Sequence, residues 1–360
     1  MPLLCEMGLD PGLDHMSAAA MIARVHAEGG AVSSFSSVCG GLPAPECAFA
    51  GASPFGYKFS WSPAGVLAAT RNDAQWLERG GVVKVDATEL LRSARPLPAA
   101  SKLARAFALE VLPNRDALPY ASLYGIDGEA HSFFRGTLRY GGWSELMDGL
   151  ATLGLTAPDA PLPTGVSTWP QLLAHLGVPR AADAAADGAA LARAAEALHW
   201  LGAWDGGDGE GDKGGGEHRL SGATVADAFC ALLQARLGYG AGERDAVLME
   251  HTVAVAFDDG RAPQTLSASL VGFGDAEGTA GGASAMSKSV GLTAAVGVQR
   301  VLAAGLPRLA GVVRPTERSV WEFCLPTLEE EGMRFQESVE YDRAAVEAPA
   351  QAQAQAQAHA

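Results

Sequence analysis

Three features of this 360-residue sequence predict an α/β fold with an all-helical insertion. Strand and helix signals alternate over the first part of the chain. A block around residues 170–236 then carries apolar residues at helical spacing. After it, an alternating segment turns back on itself as a hairpin and leads into further helices.

The elements follow in order. Residues 2–7 read as a short strand that runs into the loop Met7-Gly8-Leu9-Asp10-Pro11-Gly12. Gly/Pro punctuation beside Asp marks a loop that holds polar groups in fixed places. Asp14 followed by residues 17–26 reads as a helix with Asp14 as its N-cap, stopped at Gly29-Gly30. Residues 31–38 read as a strand that delivers Cys39 at its end, ahead of Gly40-Gly41. Residues 82–85 and 133–140 are further strands. Leu191, Ala194, Ala195, Leu198 and Leu201 recur at helical spacing. Residues 205–217 hold seven glycines and five acidic residues and read as a solvated, flexible loop. Residues 246–257 alternate, Asp258-Asp259-Gly260 turns, and 261–270 returns as a β-hairpin. Residues 284–304 and 317–331 read as helices and 333–339 as a strand. A Gln-Ala repeat closes the chain as a low-complexity tail.

Composition narrows the partners. The chain is long enough to bury a large core in more than one unit. A formal charge of −15 argues against nucleic acid and anionic membrane. No apolar run approaches the roughly 18 residues of a membrane span, and residues 1–7 lack the basic flank and apolar stretch of a signal peptide. A cytoplasmic location is therefore expected. The five cysteines are scattered, odd in number and without C-x-x-C spacing, so a reducing compartment and no metal site are expected.

Several motifs occur in series: Gly8-Leu9-Asp10-Pro11-Gly12, Cys39-Gly40-Gly41, Gly56-Tyr57-Lys58-Phe59-Ser60-Trp61-Ser62, Pro113-Asn114-Arg115-Asp116, Arg135-Gly136-Thr137-Leu138-Arg139-Tyr140, His199-Trp200-Leu201-Gly202, Gly242-Glu243-Arg244-Asp245 and Ser284-Ala285-Met286-Ser287-Lys288. In this order they resemble the NADP-dependent, glutamate-forming saccharopine dehydrogenase family over nearly the whole chain up to about residue 340. The resemblance implies a mixed sheet that binds substrate and forms a homodimer, plus an all-helical part. Residues 1–12 would close a nucleotide-binding Rossmann domain, of which only the last strand is expected here. Residues 13–150 and 241–340 would make the α/β substrate domain, 151–240 the helical subdomain, and 341–360 a disordered tail. The implied cofactor is NADP. The implied small-molecule partners are saccharopine and glutamate, linked by oxidation of a carbon–nitrogen bond to an imine that water splits into glutamate and aminoadipate semialdehyde. Two other readings stand beside it. One is a non-catalytic fragment or paralogue that folds, dimerises and binds an amino-acid ligand. The other is a related amino-acid dehydrogenase acting on a different secondary amine.

Saccharopine has three carboxylates and a secondary amine, so its site needs cations and a polar group near the nitrogen. Arg115 is the first carboxylate clamp, since a guanidinium offers a bidentate fork; the plainer reading pairs it with Asp116. Arg135, Thr137 and Arg139 share one face of their strand and suit an anion. Asp10 is placed to balance the ammonium or position water, with Cys39 lining the same site; these two are the catalytic candidates. Asp14 is an N-cap or a substrate contact, and His15 beside it is expected to be exposed. Tyr57 and Trp61 would wall the pocket, and Gly40 would let a ligand approach the backbone. Pro11 and Gly12 are the cofactor-facing candidates. Lys58 reads as a structural or charge residue, or as a general base if burial lowers its pKa, and Lys288 as a solvated first-turn lysine or a phosphate contact. Gly209 to Gly214 fits G-x-G-x-x-G, yet follows no strand and lies among carboxylates that would repel a pyrophosphate.

Overall fold

A computed structural model describes residues 2–180, 188–204, 219–303 and 311–341. The strands are β1 (Pro2–Leu4), β2 (Gly30–Pro43), β3 (Ala74–Glu78), β4 (Gly81–Val85), β5 (Arg95–Pro96), β6 (Leu109–Pro113), β7 (Ser132–Tyr140), β8 (Asp245–Phe257), β9 (Gln264–Phe273), β10 (Gly311–Val313) and β11 (Gln336–Tyr341). Nine of them form one mixed sheet in the order β11-β9-β8-β2-β7-β3-β4, with β6 also pairing β7 and carrying β5. β2 and β7 run parallel, and every other pairing in that sheet is antiparallel. β1 and β10 make a separate parallel pair with Leu3 opposite Val312.

β2 is longer than its sequence pattern predicts. Its ladder to β8 runs through Gly40 and Gly41 to Pro43, so Cys39 sits within the strand and not at its end. Gly40 continues the strand for a packing reason. A Cβ there would lie 2.8 Å from Leu138 Cβ and 2.9 Å from Leu138 O on neighbouring β7. The close approach that this glycine permits is therefore of β7 to β2.

The first helix is Leu13–Ala27, with Gly12 at its N-cap position. Asp14 is thus the second residue of the helix and not its cap, where a carboxylate still favours the positive end of the helix dipole. This helix covers one face of the sheet together with the helices Ala285–Leu302 and Arg318–Glu330. Leu13, Met16, Met249, Leu270, Val296 and Cys324 form the core between them. The helices Trp143–Thr152, Trp169–His175, Ala189–Trp200 and Val225–Arg236 belong to the core of the opposite face, which includes Leu42, Leu138 and Leu248 from the sheet. Trp169 meets Phe229 edge-on there, 6.4 Å between ring centroids. Side chains of this size each contribute about 2–3 kcal/mol by leaving water. The helical, hairpin and C-terminal strand expectations correspond to elements of this fold. Residues 205–217, 342–360 and the stretch 181–187 lie outside the described residues. No helix among the described residues is long and apolar enough to cross a membrane.

Candidate active site

The loop before the first helix is built backbone on backbone. Gly8 N donates to Pro11 O (3.1 Å), and Leu13 N donates to Gly8 O (2.9 Å). Gly12 has φ 149°, and a Cβ there would lie 2.1 Å from Gly8 O. Only glycine fits this contact. The loop presents Asp10 toward β7, and the first turn of the helix presents Asp14 beside it.

Arg135 of β7 joins the two. Its Nη2 donates to Asp10 Oδ1 at 2.5 Å and to Asp14 Oδ2 at 2.7 Å, and its guanidinium lies 4.1 Å from the Tyr120 ring centroid. Arg135 and Asp14 are buried, and the Asp10 side chain is 19 % exposed. Burial pushes the Asp10 pKa up to about 6, the neighbouring Asp14 adds to the rise, and Arg135 opposes it. Burial raises Asp14 as well, again against Arg135. For Arg135, burial alone would favour the neutral form, but Asp10 and Asp14 outweigh it and hold the guanidinium charged. The cluster therefore keeps one carboxyl group poised to exchange a proton near neutrality, the condition for general acid–base work.

His15 is fully buried, against expectation. It packs inward because the helix turns this face onto the site. Its Nδ1 shares a 2.7 Å hydrogen bond with Tyr124 Oη, and its ring stacks on Tyr120 at 5.4 Å. Burial and the nearby Arg135 push its pKa down to about 4, so it is neutral at physiological pH. His251 on β8 is buried too, bonded through Nε2 to Ser17 Oγ at 2.6 Å. Tyr120, Tyr124, Ser17 and His251 carry no sequence motif. The tyrosines at 120 and 124, four residues apart, are the one signal in the sequence that could have found part of this set.

Cys39 faces the same cluster, with Thr137 as its partner across β2 and β7. Burial raises its thiol pKa well above the usual range, and Asp10 and Asp14 raise it further, so Cys39 is a protonated contact group and not a thiolate nucleophile.

Arg139 lies two positions farther along the same face than Thr137. It is 5 % exposed and sits between two rings, 4.8 Å from the Trp143 centroid and 5.1 Å from that of Tyr57. Its Nη1 donates to Leu138 O at 2.9 Å, and its Nε has no partner among the described residues. No carboxylate among the described residues pairs with it. A buried guanidinium without a counter-ion is costly unless an anion arrives. Tyr57 is buried as Arg139's ring partner, and its own Oη is unpartnered.

Arg115 is exposed, in the left-handed region with φ 53°. Asn114 N donates to Arg135 O (3.0 Å), which sets the turn against β7. Asp116 does not pair with Arg115; its Oδ1 accepts from Leu118 N at 3.0 Å. Trp61 is 44 % exposed and lies over Gly65, where a Cβ would come within 2.6 Å of the indole. Lys58 pairs with Glu243 at 2.7 Å, and Lys288 with Asp275 at 2.8 Å. The structure thus gathers Asp10 and Asp14 on Arg135, sets Cys39 near them, and places Thr137 and Arg139 farther along the same strand face, with Tyr57 against Arg139. Among the described residues, Arg115 and Trp61 make no hydrogen bond or ring contact to that group.

Pro11 and Gly12, the cofactor-facing candidates, are engaged within their own loop, where Pro11 O accepts from Gly8 N. The N-terminus of the first helix is already filled, since Asp14 Oδ1 accepts from Gly12 N at 2.7 Å. A second negative group there would be repelled. The self-contact of Gly12 with Gly8 accounts for that glycine without a ligand. The Gly209–Gly214 segment lies outside the described residues.

Comparison with known proteins places this geometry. Residues 8–333 match the model of the saccharopine dehydrogenase C-terminal domain. An alpha-aminoadipic semialdehyde synthase of Arabidopsis thaliana is 37% identical over 361 residues, covering 94% of this chain and 32% of that protein. The saccharopine dehydrogenase [NADP(+), L-glutamate-forming] of Schizosaccharomyces pombe is 32% identical, with 93% of this chain and 72% of the relative covered. Apo saccharopine dehydrogenase (L-Glu forming) from Saccharomyces cerevisiae superposes with a TM-score of 0.78 at 31% identity, covering 94% of this chain and 74% of that one. The chain therefore spans about a third of the plant synthase and about three quarters of the fungal enzymes.

Proposed function

Because the chain belongs to the saccharopine dehydrogenase family, we propose that it forms the substrate-binding part of an NADP-dependent, glutamate-forming saccharopine dehydrogenase of lysine metabolism. The observation that carries this reading is Arg139, a buried guanidinium without a counter-ion on the same strand face as the Asp10–Arg135–Asp14 cluster. Arg139 and Arg115 receive carboxylates of the substrate. Thr137 and Cys39 line the space between, and Trp61 walls it. Arg135 is not a carboxylate receptor, because Asp10 and Asp14 already occupy it.

The part of the reaction these residues serve is hydrolysis of the imine. Ionised Asp10 takes a proton from water as the water oxygen adds to the imine carbon. Asp10 returns that proton to the nitrogen, giving a carbinolamine, and then relays the carbinolamine hydroxyl proton to the same nitrogen as the carbonyl forms and the carbon–nitrogen bond breaks. The carboxylate of Asp14 on the start of the first helix leaves no fit there for a pyrophosphate. A homodimer and a cytoplasmic location belong to the same proposal.

Calorimetric titration with saccharopine tests this reading. Saturable binding is expected. Arg139→Met and Arg115→Ala should each weaken it by at least about 2 kcal/mol, roughly thirtyfold in Kd. Equal affinity in both variants and the parent would overturn the assignment.

A further inference from the structure

A cavity of about 370 Å³ lies on the other side of the central sheet. Val38 pairs with Glu250 and Cys39 with Met249 across β2 and β8. Side chains alternate along a strand, so Val38, Glu250 and Thr252 face this cavity while Cys39, Met249 and His251 face the candidate active site. The two sites are separated by the sheet itself.

The cavity is built around a buried carboxyl group. Glu250 is 3 % exposed. Its Oε2 accepts from Ser101 Oγ and from Leu103 N, both at 3.1 Å. Its Oε1 receives no donor among the described residues, yet it is not sealed from the cavity that Glu250 lines. A buried carboxyl oxygen with no donor calls for a cationic or N–H partner. Ser36, Thr252 and Ser267 add hydroxyls, and Val38 and Phe134 add apolar wall. The opposite end carries Arg79 and Arg95. Both are exposed and pair with no carboxylate among the described residues; Glu78 beside them accepts from Trp76 Nε1, and Glu340 lies across the rim. The Arg95 guanidinium is held 5.1 Å from the Phe134 ring centroid and 5.7 Å from that of Trp76.

Strand spacing gives the length of the occupant. Glu250 on β8 sits opposite Val38, and Val38 opposite Gly136, so Phe134 on β7 lies two strands across and two residues along, about 12 Å from Glu250 at 4.8 Å per strand and 3.3 Å per residue. We propose that this cavity binds an ω-amino carboxylate, with its ammonium on Glu250 and its carboxylate at the Arg79/Arg95 rim. About five methylenes, plus a hydrogen bond of about 2.8 Å at each end, cover that distance. An α-amino acid held only by its α-groups is too short. The site is independent of the substrate assignment above.

The test is calorimetric titration of the full chain with 6-aminohexanoate, which has no α-amino group. Saturable binding is expected, weakened more than about tenfold in Glu250→Gln and in Arg95→Ala. It should persist in Arg115→Ala, which strikes the other site. Hexanoate and hexylamine, each lacking one end, should bind more weakly. Arg95 is exposed, so its variant reads binding even if Glu250→Gln disturbs folding. No saturable binding by the folded chain overturns the proposal. So does binding that survives both cavity variants and is lost in Arg115→Ala. A second copy of the chain covering the cavity would appear as a dimer without binding, and would overturn it too.

Discussion

Asp10→Asn should stabilise this protein at neutral pH while removing its proposed acid–base group. The substitution keeps the side-chain shape and fixes the neutral state. Burial, and then Asp14, raise the folded-state pKa of Asp10 from 3.8 to about 6 despite the salt bridge to Arg135. A rise of about two pH units corresponds to about 3 kcal/mol. Below the unfolded pKa the carboxyl is protonated in both states, and the parent and the variant should match. As pH rises through the window between 3.8 and about 6, the unfolded chain ionises first and the folded state holds more protons, so the parent loses stability. Above that window the variant should lead by up to about 3 kcal/mol. His15 and His251 act the other way. Their folded pKa values are lowered to about 4 and about 3, so they stabilise above the ordinary value of 6.5 and lose that contribution as pH falls. His251 cancels in the difference, and His15, which Asp10 helps to charge, cancels above pH 6.5, where it is neutral in both states. Urea unfolding followed by tryptophan fluorescence, with linear extrapolation at several pH values, measures it. A variant less stable than the parent at neutral pH, or a difference that does not change with pH, would refute the reasoning.

Arg135→Met leaves Asp10 and Asp14 without their shared cation. It should cost about 3–5 kcal/mol at neutral pH in the same assay, and less in mild acid, where both raised carboxyl groups take up protons. Gly12→Ala places a methyl 2.1 Å from Gly8 O at φ 149°; a thermal-shift measurement should show a loss above about 3 kcal/mol, or no folded protein. Iodoacetamide at mildly alkaline pH should label the partly exposed Cys5 and Cys230 before Cys39, whose peptide should appear modified by mass spectrometry only after unfolding.

The long, strongly periodic elements were legible in the sequence. The hairpin of β8 and β9 declares itself by alternation and by its Asp-Asp-Gly turn, and the helix Ala189–Trp200 by its alanine and leucine spacing. The short strands β3 and β6 were not read, because they lack the run of β-branched residues that marks β4 and β6 ends in Pro113. The end of β2 was misplaced for a different reason. Gly40-Gly41 looks like a strand terminator, whereas here the missing Cβ is what lets β7 pack against β2. Local punctuation lost to a tertiary contact.

The same competition decides the site. Arg135 and Arg139 stand four residues apart on one strand face, and nothing in the sequence separates their roles. Their difference arises from what the chain brings across the sheet. The Gly8–Gly12 loop and the first helical turn deliver two carboxylates to Arg135, whereas Tyr57 and Trp143 deliver only ring faces to Arg139. A guanidinium that already holds two carboxylates tunes its neighbours' protons; one buried against aromatic faces without a counter-ion is open to an incoming anion. Reading Asp14 as an N-cap hid this division of labour, because a capping carboxylate spends its oxygens on its own helix. Asp14 does so with Oδ1 on Gly12 N and still has Oδ2 for Arg135. One residue thus anchors the loop that carries Asp10 and sets the charge around it, so a change at Asp14 should move the titration of Asp10 as well as the stability of the helix.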